Sequence, residues 1–240
     1  MRTILILTAL WASLLSVSGQ HSPLTLQAFK SWTAGTIVTA EAVAQYGESR
    51  CFASEPVSNA VFGRMQGRSY PAGCRVPRAS LRHVRLLHYD LDGNTRLGEL
   101  VCHRDIADDL VAIFRELYRH RYPLQSVRLI DDFDADDERS MRANNTSSFC
   151  YRQIKGQTRL SAHAQGKAID INPLYNPCWR RSRSGKVTVQ PSNAMKYCDR
   201  TADFPCKIDR NDLAYRLFMQ HGFKWGGAWR TVKDYQHFEK

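Results

Sequence analysis

The chain has no Cys-x-x-Cys pair, no internal repeat and, after its first twenty residues, no apolar run long enough to cross a bilayer. The first absence disfavours a zinc site built from cysteines. The last excludes stable membrane insertion of the mature chain. Helix-turn-helix, zinc-finger and aromatic RNA-reading signatures are also missing, so nucleic acid is not an expected partner. Acidic residues are scarce: 23 Asp and Glu stand against 34 Lys and Arg, a net charge of +11. That balance favours an anionic partner; nucleic acid, acidic lipid and a carboxylate-rich wall polymer all fit by charge alone. A calcium loop is incomplete. Asp132, Asp134 and Asp136 hold its first, third and fifth places, but Asp137 replaces the glycine and Ala143 the bidentate glutamate.

What is present begins with a leader-like segment. Met1 and Arg2 precede an apolar run over 4–15, and small residues fill 16–19. Residues 1–19 therefore read as a secretory signal peptide, with an uncleaved anchor as the rival reading. An exported protein is expected, periplasmic or extracellular, and monomeric. Residues 20–64 read as a helical and irregular extension packed on the domain formed by 65–240. Seven cysteines, at 51, 74, 102, 150, 178, 198 and 206, suggest disulfides in an oxidising compartment. The expected bridges are Cys51 with Cys74 and a pair among Cys178, Cys198 and Cys206.

Hydrophobic spacing gives the elements. One or two helices are expected over 24–47, and irregular chain over 51–77. Strands over 83–89 and 97–102 turn at Asp92 and Gly93 as a hairpin. Ile106, Leu110, Ile113, Phe114 and Leu117 recur at helical spacing after Asp105 as N-cap. Strands follow over 127–133 and 149–154, and an amphipathic helix over 208–221 ends at Gly222. The segment 223–239, rich in Trp and Gly, reads as strand and turn. Helices flanking short strands joined by turns predict an α+β fold.

The most chemically pointed stretch is "SAHAQGKAIDINP", residues 161–173. Gly166 permits a tight reversal. Beyond it Ala168 and Asp170 share one strand face while Ile169 and Ile171 anchor the other. His163 and Asp170 could then hydrogen-bond each other, or form two of the three protein ligands of a catalytic metal site. "DYQHFE", residues 234–239, offers His237 as the third ligand. Asp234 could take a proton from a metal-activated water. Trp225, Gly226, Gly227 and Trp229 suggest an aromatic wall with flexible backbone beside them. Glu239 shares the strand face of His237 and competes with Asp234 as base. His83, His88, His103, His120 and His221 show no partner pattern and read as structural or exposed.

The S-x-H-x-x-G-x-A-x-D element followed by a late D-x-x-H resembles the zinc D-alanyl-D-alanine carboxypeptidase family, which shares the hedgehog/DD-peptidase fold. "NNTSSFCYR", residues 144–152, looks like a block found in one exported branch, which favours a site-lining loop over the glycosylation pattern at Asn144. The resemblance runs from about Met65 to the C-terminus. It implies a small antiparallel sheet flanked by helices, with Zn2+ held by His163, Asp170 and His237. Asp234 would be the catalytic acid/base, where other branches carry Glu. The implied substrates are peptidoglycan peptide stems, hydrolysed in the D-Ala-D-Ala carboxypeptidase manner. Alternatives are an L-Ala-D-Glu or cross-link endopeptidase, or a non-catalytic zinc-containing wall-binding module. One departure stands out: the G-Y-R-S arginine of many members has no counterpart on the 127–133 strand. Arg152 is the substitute candidate for substrate binding, with Arg142 behind it and Ser161 beside the site.

Overall fold

The computed structural model describes residues 23–152 and 160–240, so the expected signal peptide lies outside the described residues. Helices α1 (Pro23–Ser31) and α2 (Ala40–Tyr46) occupy the region expected to be helical. Thr39 caps α2 by accepting from the Ala42 N–H. Within 51–77, read as irregular, β1 (Ala53–Pro56) and α3 (Asn59–Met65) form instead. Ser58 caps α3, and Val61 and Met65 are buried four residues apart, too brief a pattern to stand out among glycine, proline and arginine.

The expected hairpin is longer than its apolar alternation suggests. Strands β2 (Leu81–Tyr89) and β3 (Thr95–His103) pair antiparallel from Leu81 opposite His103 to Tyr89 opposite Thr95. Asp90 closes the turn by accepting from the Asp92 and Asn94 N–H groups at 3.0 and 2.8 Å. With β1 on the free edge of β2, this makes a three-stranded antiparallel sheet. Helix α4 (Arg104–Arg119) packs on it through Ile106, Leu110, Ile113, Phe114 and Leu117. Its cap is His103 rather than Asp105, because the helix starts where β3 stops; His103 Nδ1 accepts from the Asp105 N–H at 3.2 Å.

The next segments depart from the sequence reading. Only β4 (Ser126–Val127) of the 127–133 strand exists, and a 3-10 turn at Ile130–Phe133 follows it. The Asn145 side chain brackets Arg128, accepting from its N–H and donating to its C=O, both at 3.0 Å, in place of a strand neighbour. Helix α5 (Asp137–Arg142) leads to β5 (Asn145–Thr146), parallel to β4. Where a strand was expected from 149, the N–H groups of Phe149, Cys150 and Tyr151 bond to Val101, His163 and Ser69, so no ladder forms; 153 and 154 lie outside the described residues.

The remaining strands are short: β6 (Ala168–Asp170), β7 (Cys178–Arg181) and β8 (Val187–Gln190). Helix α6 (Leu213–Gln220) is shorter than the expected 208–221 because Asp212 caps it, accepting from the Tyr215 N–H. Then come β9 (Lys224–Trp225), β10 (Lys233–Asp234) and β11 (His237–Glu239). They build two further antiparallel sheets, ordered β6-β11-β9 and β10-β7-β8. The fold is α+β, as expected, with its antiparallel structure divided among small sheets.

One large core joins Phe29, Trp32 and Val43 of the N-terminal helices to β2, β3, α4, Ile169, Phe218 and Phe238. Residues on both sides of position 65 thus share it. All seven cysteines are free thiols, correcting the expected bridges. Cys51 belongs to the large core, while Cys74 packs on the separate cluster around Met65 and Phe149. Cys198 and Cys206 face different carbonyls, those of Ala194 and Pro123. Asn144 and Asn145 are buried, which closes them to glycosylation. The carboxylates of the partial calcium loop are engaged: Asp132 with Arg64 and Arg128, Asp134 with Arg139, and Asp136 as the cap of α5.

Candidate active site

The site forms where the two C-terminal sheets meet along residues 234–237. Asp234 ends β10 opposite Cys178 of β7. Three residues later His237 opens β11 opposite Asp170 of β6. Tyr235 and Gln236 carry the chain between sheets, through Tyr235 N–H to Pro177 C=O at 3.4 Å and Ile171 N–H to Gln236 C=O at 3.0 Å. Adjacent strand registers therefore fix the spacing of the carboxylate and the imidazole.

His163 enters from a 3-10 turn, His163–Gln165, closed by Gly166 at a φ of 69°. A Cβ at Gly166 would also lie 2.7 Å from the His103 nitrogen, so position 166 requires glycine both for its conformation and for the close approach of β3. Ala168, Ile169 and Ile171 are fully buried, as the strand reading required. Gly226 has a different role from the flexibility expected of it. Its Cβ would meet the Asp234 carbonyl at 2.7 Å and the His237 Cβ at 3.2 Å, so a bare backbone supports the site from beneath. Trp229 lines the cleft 5.3 Å from the His237 ring, while Trp225 is a core residue donating to the Tyr235 C=O.

His163, Asp170 and His237 offer ligand atoms that all lie within 4.8 Å of one another, the grouping expected from the motifs. His163 Nδ1 is 2.7 Å from the Ser148 C=O and His237 Nε2 is 3.3 Å from Glu239 Oε2. Assigned from these acceptors, the ring protons sit on His163 Nδ1 and His237 Nε2. The bare His163 Nε2 and His237 Nδ1 then converge, 3.1 Å apart, and Asp170 Oδ1 lies 3.3 and 3.1 Å from them. Three lone pairs aimed at one point repel unless a cation or proton sits among them. Two imidazole nitrogens and a carboxylate oxygen open to a cleft match the donor set of a catalytic zinc.

Without a metal, protons take that role. Burial opposes ionisation of Asp170, yet His163 and His237 hold its carboxyl well below the usual range. Burial also disfavours a charged His237, but its bonds to Asp170 and Glu239 prevail and push its pKa up to about 10. Asp234 is shifted the other way. Burial raises its pKa, with Asp170 adding to the rise against the pull of His237, and its Oδ1 is buried without a hydrogen-bond partner. The rival base Glu239 is already committed to His237.

Two groups escaped the sequence reading. Ser148 orients His163 through its carbonyl and ties that loop to β6 by donating from Oγ to the Ala168 C=O at 2.7 Å. Its only sequence signal was membership of the "NNTSSFCYR" block. The β7–β8 hairpin lines the cleft with Trp179, Arg180, Thr188 and Gln190; Ser184 and Gly185 before Val187 and Val189 were the available signal.

The cleft encloses about 600 Å³ and also includes Arg152 and Ser161. Arg152 is paired with Asp137 at the start of α5, while Arg142 is exposed and away from the lining. Ser161 Oγ accepts from the Ala164 N–H at 3.1 Å and donates to the Arg152 C=O at 3.3 Å, joining the metal-site turn to the arginine. The remaining histidines among the described residues are structural or exposed, as expected: His83 pairs with Glu99, His221 with Asp109, and His120 is exposed. No helix among the described residues is long and apolar enough to cross a membrane.

A family model described as D-alanyl-D-alanine carboxypeptidase matches residues 155–240, the stretch that carries all three candidate ligands and Asp234. No curated protein and no solved structure matches the chain.

Proposed function

We propose, from the match of residues 155–240 to a family model described as D-alanyl-D-alanine carboxypeptidase, that this protein is an exported zinc metallopeptidase that removes terminal D-Ala from peptidoglycan stem peptides. The observation that carries the reading is the convergence of His163 Nε2, His237 Nδ1 and Asp170 Oδ1 at the floor of a cleft. His163, Asp170 and His237 would hold a zinc ion at that point, and the ion would supply Lewis-acid polarisation of the scissile carbonyl and acidify the attacking water towards a pKa of about 7.

The chain's own residues do the rest. Asp234, raised by burial and unpaired at Oδ1, accepts the proton of the attacking water and returns it to the departing amine. Ser148 and Glu239 hold the two imidazoles in the tautomers that present lone pairs to the metal. Arg152, steadied by Asp137, offers a guanidinium to the substrate carboxylate, and Ser161 positions it through the shared carbonyl. Trp229 and the Trp179 hairpin wall the cleft and limit water access.

Zinc content measured together with mass spectrometry of digested muropeptides tests this reading. Stoichiometric zinc and loss of terminal D-Ala are expected. Products cut inside the stem would reassign the enzyme as an endopeptidase. A zinc-loaded protein that binds wall and releases nothing would make it a binding module.

A further inference from the structure

Among the residues lining the cleft, Trp179, Asp234 and Gln236 each bury a polar atom that no hydrogen bond engages, Nε1, Oδ1 and Oε1, beside Arg152 Nε, which is buried against the Asp137 carboxylate. Asp234 has a role in the proposed chemistry; the indole N–H of Trp179 has none so far. An unpaired buried N–H carries its full desolvation cost, which a hydrogen bond to a ligand removes. Trp179 sits on β7, beside the metal-site strands but outside the metal-binding motifs.

The same hairpin shows a second, independent feature. From residue 171 to 198 the chain has no Asp or Glu, while it carries Arg180, Arg181, Arg183, Lys186 and Lys196. The turn joining β7 to β8 is tightly made. Ser182 N–H donates to the Lys186 C=O at 2.8 Å, and Lys186 N–H donates to Ser182 Oγ at 3.0 Å. Arg181, Arg183 and Lys186 are exposed there, and no ion pair engages them among the described residues. Arg180, at the base, lines the cleft with its Nε donating to Thr188 Oγ1 at 3.3 Å. Cations crowded on one turn repel each other and attract a chain bearing carboxylates.

We propose that the β7–β8 hairpin is a recognition arm for an acidic peptide: Trp179 Nε1 donates to a substrate carbonyl or carboxylate in the cleft, while Arg181, Arg183 and Lys186 hold a carboxylate farther along the same peptide. The inference rests on the peptidase reading and adds to it the charge of the substrate outside the scissile bond. A peptide is favoured over nucleic acid because the cations lead into a cleft that also offers Gln236 Oε1, an acceptor suited to a peptide N–H.

The test uses the full zinc-loaded chain and twin peptides ending in D-Ala-D-Ala, one with a free upstream carboxylate and one with that group amidated. At low salt the wild type should prefer the carboxylate twin by about tenfold in kcat/KM, with the preference fading as salt rises. The triple variant R181Q/R183Q/K186Q should lose the preference. W179F should raise KM for both twins to a similar extent, because the indole N–H reads a group they share. Equal wild-type rates on the twins, or a triple variant that keeps the preference, would overturn the arm. If neither twin is hydrolysed, the peptidase reading fails and the arm is judged by calorimetric binding of the same twins. Tighter binding of the carboxylate twin, lost in the triple variant, supports it. Equal binding of the twins, or tighter binding of duplex DNA than of either, refutes it.

Discussion

The β2–β3 hairpin with α4 and the junction of the two C-terminal sheets solve different problems with similar residues. The first uses two nine-residue strands and a sixteen-residue helix, and pairs its buried carboxylate: Glu99 lies between Arg64 and His83, and the atoms left there without partners are nitrogens, those of Arg85, His88 and Arg115. The second uses strands of two to four residues and leaves acceptor oxygens of Asp234 and Gln236 buried without partners. Their histidines make the contrast sharper. Burial lowers His88, in β2, to about 4 despite its hydrogen bonds to backbone carbonyls. His237 is also buried, yet two carboxylates raise it to about 10. The scaffold holds a neutral ring; the site has gathered negative charge around one, the arrangement a cation needs.

The largest effect should come from the site. His163→Ala removes a lone pair from the cluster and should abolish both zinc retention and hydrolysis. Asp234→Ala should keep zinc and lower kcat by about 10³-fold, within the range of a lost general base. Metal analysis and steady-state kinetics on one D-Ala-D-Ala peptide separate them. An Asp234→Ala enzyme with normal turnover would transfer the base role to Glu239.

In the scaffold, Leu110→Ala should cost about 2–5 kcal/mol by leaving a cavity under α4. Leu110 is fully buried in the large core. Urea unfolding should show this loss while zinc content and kcat at low temperature stay near wild type. A fall in kcat without loss of stability would mean that the two regions are coupled more tightly than their contacts suggest.

Acid should distinguish the regions next. His88 binds its proton about 2.5 pH steps less readily folded than at its ordinary 6.5, so its stabilisation is complete above pH 6.5 and lost as pH falls towards 4. The loss amounts to about 3 kcal/mol. Asp212 acts with the opposite sign. Burial lifts its carboxyl to about 6, so its contribution grows as pH falls from 6 towards 3.8. The two largely cancel in the wild type. Asp212→Asn should expose the His88 loss as a steeper decline in unfolding free energy between pH 6.5 and 4.5. An unchanged decline would show that His88 is protonated without disturbing the core.

The sequence made the regions legible in different ways. Long-range apolar spacing revealed the β2–β3 hairpin, α4 and the inward face of α6, because burial repeats over many residues there. The candidate metal ligands were legible for another reason: His163, Asp170 and His237 are rare donor types in short, ordered motifs. Between these lie elements whose structure depends on single side-chain bonds. Asn145 bracketing Arg128, Asp212 capping α6 and Ser148 orienting His163 are one-to-one contacts, and hydrophobic periodicity does not encode them. The thiols failed for a related reason: spacing along the chain could not reveal that Cys51 and Cys74 pack in different clusters.

The smallest predicted effect isolates the difference between regions with one kind of hydrogen bond. Thr39 Oγ1 accepts from the Ala42 N–H at 3.2 Å to cap α2, and Ser161 Oγ accepts from the Ala164 N–H at 3.1 Å in the turn that carries His163. Each truncation to alanine should cost about 1 kcal/mol of stability, the usual worth of such a cap. In the scaffold that is the whole effect, and Thr39→Ala should bind zinc and turn over as wild type. In the site the same loss frees a turn bearing a candidate ligand and loosens the link to Arg152, so Ser161→Ala should weaken zinc by about tenfold. Competition against a zinc chelator, set beside urea unfolding of both variants, measures it. Equal zinc affinity in the two variants would mean that Ser148 and Gly166 alone fix His163.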